Sequence, residues 1–244
     1  FYTFSKTIDS QDGDNDGSGV APIQNRGLEK ARAGFDRAHR YVGVATYQLP
    51  VGKGKKWMNK GGVWNYIFGG YEIAWIQTWE SGNPLTFTFG NARDAQGRTI
   101  NHYPGFAGTR RPNLAPGAKP ALVDNWGNLG GDRFNSLNIN PIIDINNFAY
   151  PDAFTPGNSG RNIVTGTRLL WAQISASKDF PIGERANIQL RWDFQNAFKT
   201  YNFNPPTTSV DFSNPRAFGK LTSDPRTASL GGQPLMNLTL QVTF

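Results

Sequence analysis

The residues best suited to chemistry form a short acidic run near the start of the chain. Three carboxylates stand at alternate positions in the segment Asp12-Gly13-Asp14-Asn15-Asp16-Gly17. Carboxylates at this spacing can converge on a hard cation such as calcium, and glycine permits the sharp turn that such a loop needs. The pattern therefore predicts a candidate calcium site at Asp12, Asp14 and Asp16.

This calcium pattern is incomplete, and a solvated loop is its alternative. In a complete loop an acid at the twelfth position binds the ion through both oxygens, but Ile23 stands there. Backbone carbonyl groups would have to supply the missing ligands. An acidic turn whose carboxylates stay in solvent explains the same residues. Calcium is thus the one cofactor that the sequence suggests, and both interpretations remain open.

Catalytic chemistry has little support in the sequence. His39 and His102 are the only histidines, cysteine is absent, and no motif places a nucleophile beside a base. Glu72 and Glu80 could form a carboxylate pair, but alternation along a strand explains them equally well. Packing at the entrance of a strand explains His39 better than metal binding does. We therefore expect that the chain is not an enzyme.

Composition and charge favour a β protein and give little support to nucleic-acid binding. The 244 residues include 28 glycines and 16 prolines, which indicates many turns and few long helices. The net charge is +7, and the basic residues are scattered along the chain apart from four clustered lysines. A basic turn beside a membrane or in solvent explains this cluster better than nucleic-acid binding does. No apolar run approaches the roughly 20 residues of a transmembrane helix. Any membrane would be crossed by strands. The clustered lysines are Lys53, Lys55, Lys56 and Lys60.

The last ten residues have the pattern of a strand with two different faces. Side chains alternate along a strand, so every second residue lies on the same face. A soluble sandwich strand can alternate in this way, but a transmembrane barrel strand also places lipid outside, a wet lumen inside and an aromatic residue at the interface. One face carries Met236, Leu238, Leu240, Val242 and Phe244, and the other carries Asn237, Thr239, Gln241 and Thr243.

Similar alternation recurs along the chain and predicts about six long strands. We place them near residues 1–8, 40–49, 71–81, 170–179, 188–194 and 235–244. After an interruption at 82–84, the third strand is expected to resume over residues 85–89. The tight turn around Gly183 predicts an antiparallel hairpin between the fourth and fifth strands. The predicted fold is all-β, with antiparallel up-and-down strands of an outer-membrane-type barrel over residues 1–244. The six strands would form only part of that barrel.

Long loops are expected at about 9–38, 90–167 and 200–233. They follow the first, third and fifth strands, whereas short connections follow the second and fourth. Barrels in outer membranes place long loops outside the cell and short turns in the periplasm. Phe244 should therefore end in the periplasm.

The span 90–167 shows no convincing regular element, although some of its residues could order it. Residues 146–149 could close a short helix before Pro151, and a short paired segment is possible near 218–222. The aromatic residues that could anchor the long loop are Trp126, Phe134, Phe148, Tyr150 and Phe154.

A set of short motifs runs through nearly the whole chain in a fixed order. They are Phe4-Ser5-Lys6-Thr7-Ile8-Asp9, Asn25-Arg26-Gly27, Phe35-Asp36-Arg37-Ala38-His39-Arg40-Tyr41-Val42, Tyr47-Gln48-Leu49-Pro50-Val51-Gly52, Gly69-Gly70-Tyr71-Glu72, Ser81-Gly82-Asn83-Pro84-Leu85-Thr86, Arg111-Pro112-Asn113-Leu114, Gly160-Arg161-Asn162, Lys178-Asp179-Phe180 and the final Phe244. The ordered set resembles the TonB-dependent outer-membrane receptors, in particular the Oar-like receptors with an N-terminal carboxypeptidase-regulatory-like domain.

This resemblance implies a 22-stranded barrel filled by a plug, of which the chain would be roughly the last quarter. Six strands are fewer than the eight of the smallest outer-membrane barrels, so we expect a piece of a transporter for ligand capture and uptake. The implied location is the bacterial outer membrane. The implied partners are membrane lipid, the rest of the barrel with its plug, and the barrel-assembly machinery, but no nucleic acid. The assembly signal would comprise Leu238, Leu240, Val242 and Phe244.

A structural protein is the alternative from a different class. A receptor-derived fragment with two unpaired strand edges could pair with other copies of itself and build an extracellular fibre or tube. Solubility without detergent would distinguish this alternative from a membrane-embedded segment.

Calcium titration followed by calorimetry tests the acidic run. A site built on Asp12, Asp14 and Asp16 predicts saturable heat, and the Asp14→Asn variant should bind roughly tenfold more weakly because a charged ligand is lost. The Asp94→Asn variant removes a carboxylate from another loop and should bind like the wild type. A titration without heat would leave only the solvated loop.

Overall fold

The computed structural model describes residues 1–10, 27–59, 62–89, 111–123, 141–151, 157–183, 186–198, 200, 202–223 and 235–244. The regular elements among the described residues are almost all β-strands, with one short α-helix and short 3-10 stretches at Gly27 and Leu28 and at Ile145–Asn147. The elements in chain order are β1 (Tyr2–Phe4), β2 (Ile8–Asp9), β3 (Ala31–Arg32), β4 (His39–Gln48), α1 (Val63–Phe68), β5 (Tyr71–Glu80), β6 (Pro84–Leu85), β7 (Thr88–Phe89), β8 (Asn113–Leu114), β9 (Phe148–Ala149), β10 (Val164–Thr165), β11 (Leu169–Ile182), β12 (Ala186–Gln195), β13 (Phe203–Asn204), β14 (Ser209–Val210), β15 (Thr222–Ser223) and β16 (Leu235–Thr243).

Six of these strands form one antiparallel sheet in the order β1-β4-β5-β11-β12-β16. Each strand pairs with its neighbour in chain order, which is an up-and-down arrangement. Strands β4, β5 and β12 have 10 residues each, which is the length that a tilted strand needs to cross a bilayer. Strands β1 and β16 are the two edges, so the sheet is a partial barrel rather than a closed one.

The sheet confirms the predicted set of six strands and the predicted hairpin. Strands β11 and β12 pair from Gln173 with Gln195 to Ile182 with Ala186, and Gly183 turns the chain with a φ of 62°. The first strand is shorter than expected because the chain leaves the sheet after Phe4. The residues Ile8–Asp9 then pair with Ala31–Arg32 outside the sheet.

The connections of the sheet alternate between longer and shorter ones. Residues 5–38, 81–168 and 196–234 connect strands at one end, which we call the loop end. Residues 49–70 and 183–185 connect strands at the opposite end, which we call the turn end. Residue Phe244 follows β16 at the turn end. The helix α1 in the connection 49–70 was not expected from the sequence.

The long connections contain regular structure that the sequence did not reveal. Five two-stranded pairs form there, namely β2 with β3, β6 with β10, β7 with β14, β8 with β9 and β13 with β15. The expected helix at 146–149 is instead a 3-10 turn followed by a strand. The Asp144 side chain accepts a hydrogen bond of 2.9 Å from the Asn146 backbone. The next residue after the turn, Phe148, is extended at φ −122° and ψ 153° and buries its ring.

The hydrophobic core lies in the long connections and not in the sheet. Among the described residues, Ala172 is the one fully buried apolar residue of the six long strands. At the loop end, the rings of Phe87 and Phe148 lie 4.7 Å apart, and the Phe218 ring packs against both. We call this region the cap. Its buried apolar residues are Leu85, Phe87, Phe89, Ile142, Ile143, Phe148, Val164, Phe203, Val210, Phe218 and Leu221.

A close backbone approach joins the two halves of the long connection 81–168. A Cβ atom added at Gly82 would lie 1.9 Å from the carbonyl oxygen of Gly166. Only glycine allows the chain after β5 to pass this close to the chain before β11.

Among the described residues, no helix is long and apolar enough to cross a membrane.

Candidate functional site

The register of the large sheet sorts its side chains into two unlike sides. Directly paired residues of neighbouring strands share one side of a sheet. Leu240 pairs with Leu190, and Ile174 pairs with both Phe194 and Trp75. We call this side the apolar side. Its members include Tyr41, Ala45, Tyr47, Tyr71, Ile73, Trp75, Trp79, Leu170, Ala172, Ile174, Ala176, Phe180, Ile188, Leu190, Trp192, Phe194, Met236, Leu238, Leu240 and Val242.

Much of the apolar side is open to the surroundings. Leu238, Leu240 and Val242 are exposed by 61%, 65% and 52% of their surface. Ile73 and Tyr47, near the other edge, are exposed as well. A continuous apolar surface of this extent is unfavourable in water, so it requires an apolar environment or a partner.

Aromatic residues gather at the loop end of the apolar side. The hydroxyl of Tyr2 lies 2.7 Å from Nδ1 of His39, and the Phe4 and Trp79 rings lie 5.2 and 6.3 Å from the His39 ring. His39 therefore packs at the start of β4, as the sequence indicated. Amphipathic rings at the rim of an apolar band suit the boundary between membrane and water.

The opposite side of the sheet is lined by polar side chains that bind one another across the strands. Arg191 Nε lies 2.8 Å from Asp193 Oδ1, and the Ser175 hydroxyl donates to the same carboxylate. Further along, Gln189 donates a 3.0 Å hydrogen bond to Asp179. Charged and amide groups at every second position require water or polar partners, so this polar side suits a wet lumen.

Two exposed apolar residues interrupt the polar side. Val44 and Ile76 pair directly across β4 and β5 and are exposed by 70% and 43%. The polar side therefore carries a small apolar contact surface halfway along its strands.

A buried lysine is the main exception on the apolar side. Lys178 is 3% exposed, and its Nζ donates a 2.6 Å hydrogen bond to the Gly69 carbonyl group. The same ammonium group lies 4.0 Å from the centre of the Tyr71 ring and 4.9 Å from that of Phe180. The carbonyl group and the two rings replace water around the charge. These contacts also hold the turn-end connection against the apolar side.

A buried ion network joins the first two long connections at the loop end. The Arg111 and Arg161 side chains are 6% and 3% exposed, and the Glu29 side chain between them is 6% exposed. Glu29 pairs with Arg111, and Asp9 pairs with Arg161. Arg161 also donates hydrogen bonds of 3.2 and 3.1 Å to the Glu29 carbonyl group. We call these four residues the ion network.

Further hydrogen bonds lie beside the ion network, at β3 and at the residue that follows β6. Asp36 accepts a 2.8 Å hydrogen bond from Arg32 and a 3.0 Å hydrogen bond from the Thr7 backbone. Asn162 donates 2.7 Å to the Arg32 carbonyl group, and its own backbone N–H donates to Thr86 at 3.0 Å. These contacts fix the connection 5–38 against the connection 81–168.

The third long connection is ordered by a carboxylate at a turn. Asp211 accepts hydrogen bonds of 2.6 and 2.9 Å from the hydroxyl and backbone N–H of Ser213. These hydrogen bonds favour the charged form and lower the pKa of Asp211 below its ordinary value. The turn lies beside Phe212, whose ring is 4.6 Å from that of Tyr150. The third connection thereby packs on the second.

A polar cleft lies at the loop end where the three long connections meet. Its volume is about 160 Å³, and its lining includes two arginines, Arg37 and Arg168. Arg37 also lies 3.8 Å from Glu80 and donates a 3.0 Å hydrogen bond to the Ser81 carbonyl group. The Oδ1 atom of Asn83 is buried there without a hydrogen-bond partner among the described residues. The lining residues are Arg37, Asn83, Leu85, Gly166, Thr167, Arg168, Leu169, Asn202, Phe203, Asn204 and Pro205. The cleft can offer hydrogen-bond donors and an acceptor to a small polar molecule.

The structure tests some of the residues predicted from the sequence and leaves others untested. The alternation of Leu238, Leu240 and Val242 against Thr239, Gln241 and Thr243 is confirmed by the register with β12. Their role as an assembly signal remains a prediction, and Phe244 is 97% exposed. Asp12, Asp14 and Asp16 lie outside the described residues. Within the described ranges no group of three His, Cys, Asp or Glu side chains is placed to hold a metal ion.

The ion network is the feature that sequence reasoning missed. Arg111 and Arg161 stand in two of the short motifs, Arg111-Pro112-Asn113-Leu114 and Gly160-Arg161-Asn162. Nothing in the sequence paired them with Glu29, which is 82 positions away from Arg111. The available signal was that each arginine stands next to a backbone-specific residue, Pro112 or Gly160.

An open antiparallel sheet with one apolar side, one polar side and a folded loop end defines a strand segment of an outer-membrane-type β-barrel. Residues 1–230 match the family of the outer membrane beta barrel domain, and the chain belongs to that family. It is therefore a protein of the bacterial outer membrane and associates with the lipid of that membrane. Neither the comparison with curated proteins nor the comparison with solved structures gave a match.

Charge placed on the two sides of β16 should have opposite consequences. The Leu240→Arg variant puts a cation on the apolar side near the middle of the strand, which costs about 2–4 kcal/mol of stability in a bilayer. The Gln241→Arg variant puts the same cation on the polar side and should change stability by less than about 1 kcal/mol. Denaturant unfolding from lipid vesicles measures both, and equal losses would contradict the assignment of the two sides.

Removal of the carboxylate at the centre of the ion network should loosen the cap. The Glu29→Gln variant leaves Arg111 without its buried counter-charge, which we expect to cost about 3 kcal/mol. Arg40, which is half exposed and lies 3.0 Å from Glu80, provides the control, because breaking a surface pair costs less than about 1 kcal/mol. Limited proteolysis at the loop end should proceed faster in Glu29→Gln and unchanged in Arg40→Gln. Equal cleavage rates in the two variants would show that the network does not hold the cap.

Proposed function

We propose that the chain is a segment of a TonB-dependent transporter barrel, with the loop end outside the cell capturing a ligand for uptake. The folded loop end is the observation that carries this proposal. Simple connections between membrane strands need only be long enough to join them, but here they bury an aromatic core and an ion network. Order of this kind is expected where loops must hold the shape of a binding surface.

The sheet itself supports a segment of a larger barrel. Strands β1 and β16 leave backbone hydrogen-bonding groups along two edges, and a bilayer offers no water to satisfy them. Further strands of the same barrel would complete these edges. The apolar contact surface at Val44 and Ile76 faces the polar side, where a plug would lie. The barrel-assembly machinery would act on Leu238, Leu240, Val242 and Phe244.

The polar cleft is the proposed place of ligand contact within this segment. Arg37 and Arg168 favour an anionic or carbonyl-bearing ligand, and Asn83 supplies an acceptor for a hydroxyl or amine group. The volume of about 160 Å³ suits one polar group of a larger ligand rather than a whole one. Other contacts would come from the plug and the remaining loops.

Cysteine labelling tests the proposed orientation, because the chain has no cysteine of its own. Lys119 is exposed in the second long connection, and Lys55 is exposed at the turn end. In intact cells a membrane-impermeant maleimide should label Lys119→Cys but reach Lys55→Cys only after permeabilisation. The reverse pattern would overturn the orientation. A protein that stays soluble as fibres without detergent would favour the self-assembling alternative.

Energy-dependent uptake tests the proposed transport. Cells carrying the full-length protein should deplete a component of spent medium that cells lacking it leave behind, and a protonophore should abolish the difference. The Arg37→Gln variant should reduce that depletion, whereas the Lys119→Gln variant should not, because Lys119 lies outside the cleft. Identical media from all cultures would exclude uptake by this barrel.

A further inference from the structure

The connection between β4 and β5 is inside-out: its apolar side chains point outward and a polar side chain points inward. Helix α1 has the sequence Val63-Trp64-Asn65-Tyr66-Ile67-Phe68, with one polar side chain among six. Asn65 turns inward, where its Oδ1 accepts a 2.6 Å hydrogen bond from the Lys53 backbone. The other side chains point outward, with exposures of 71% for Val63 and 63% for Trp64.

This connection is rigid enough to present those side chains as one surface. The backbone of Gly52 and Trp57 is joined by a 2.9 Å hydrogen bond, and the Trp64 and Phe68 rings stack 5.9 Å apart. A Cβ atom at Gly69 would lie 3.2 Å from Gly52, so the two ends of the connection touch. The exposed apolar residues are Trp57, Met58, Val63, Trp64, Tyr66, Ile67 and Phe68.

All charged residues of the connection 49–70 are basic. Residues 49–70 contain four lysines and no acid. Lys55 is directed to Gln48, at 3.1 Å on the polar side, but Lys53 and Lys56 are exposed, and the Lys56 ammonium lies 5.6 Å from the Trp57 ring. Cations beside exposed aromatic rings complement an anionic surface that also has an apolar layer.

The connection 49–70 is held against the apolar side of the sheet. Lys178 belongs to the apolar side of β11, and its hydrogen bond to the Gly69 carbonyl group holds the end of the connection against that side. The apolar side is the surface that contacts lipid. The exposed rings of α1 therefore lie where the strands leave the bilayer.

We propose that the connection 49–70 is an interfacial anchor that binds anionic phospholipid headgroups at the periplasmic face of the outer membrane. The rings of Trp57, Trp64 and Phe68 would enter the headgroup region, and Lys53 and Lys56 would contact the phosphates. The inference rests on the proposed orientation, which places the turn end in the periplasm. It assigns the site a lipid class, an acidic phospholipid, rather than a transported ligand.

Quenching by brominated lipids tests this anchor on the full chain reconstituted in vesicles. Brominated phosphatidylglycerol and brominated phosphatidylcholine are compared at the same mole fraction, because bromine quenches only the tryptophans that it contacts. The wild type should prefer phosphatidylglycerol by roughly fivefold for each lysine engaged. Raising the salt concentration to about 1 M should reduce the preference, since the screening length falls to about 3 Å.

Matched double variants locate the preference. Lys53→Gln with Lys56→Gln should bring the ratio of the two lipids close to one. Lys6→Gln with Lys119→Gln removes the same charge from exposed positions elsewhere and should keep the wild-type ratio. Equal quenching by both lipids in the wild type, or equal loss in both double variants, would overturn the anchor.

The two proposals fail separately. Loss of lipid preference with energy-dependent uptake intact would reject the anchor and leave the transporter standing. A clear lipid preference in a protein without energy-dependent uptake would support the anchor and reject the transporter. Labelling of Lys55→Cys in intact cells would overturn the periplasmic anchor, whatever the lipid preference.

Discussion

The bilayer constrains this chain through the backbone. In hydrocarbon, each N–H and C=O group needs a partner within the protein, so the crossing segments must be strands joined edge to edge. A sheet that faces lipid on one side and water on the other has no protein interior. This explains why Ala172 is the only fully buried apolar residue described in the six long strands, although the chain contains 17 phenylalanines. Apolar residues either face lipid or must find a core elsewhere.

That core is formed by the long connections. Burying a ring such as that of Phe87 or Phe218 stabilises a fold by about 2–3 kcal/mol, and several rings in contact can order loops that would otherwise remain mobile. The core alone does not settle how the first connection sits on the second, because apolar contacts have little directional preference. The pairs of Glu29 with Arg111 and of Asp9 with Arg161 supply direction, at the cost of dehydrating four charges. The cap thus has an apolar part that gives stability and an ionic part that fixes geometry.

The sequence predicted the parts of the fold that follow from period-two alternation. The strands β11, β12 and β16 have sides of opposite polarity, so their existence, pairing and orientation could all be inferred from residues such as Leu190 and Arg191. The cap could not be inferred, because its strands are two residues long and Asn113–Leu114 pairs with Phe148–Ala149 across more than 30 positions. The ion network was hidden for the same reason, since Glu29 becomes a partner of Arg111 only through the fold. Helix α1 was missed because its apolar residues show no helical periodicity. Its apolar side chains are exposed around most of the helix, so no single apolar face marks it in the sequence.

The two ends of the sheet differ in where they place their apolar residues: the loop end buries them and the turn end exposes them. At the loop end, water surrounds the connections, and they fold around Phe87 with their polar groups bound to one another. At the turn end, the connection 49–70 exposes Trp64 and directs Asn65 inward, an arrangement that would be unstable in water alone. An inside-out helix is stable when its surroundings are less polar than its own interior contacts, and the rim of a bilayer is such a place. The difference between the two ends therefore indicates a membrane environment independently of the alternation along the strands.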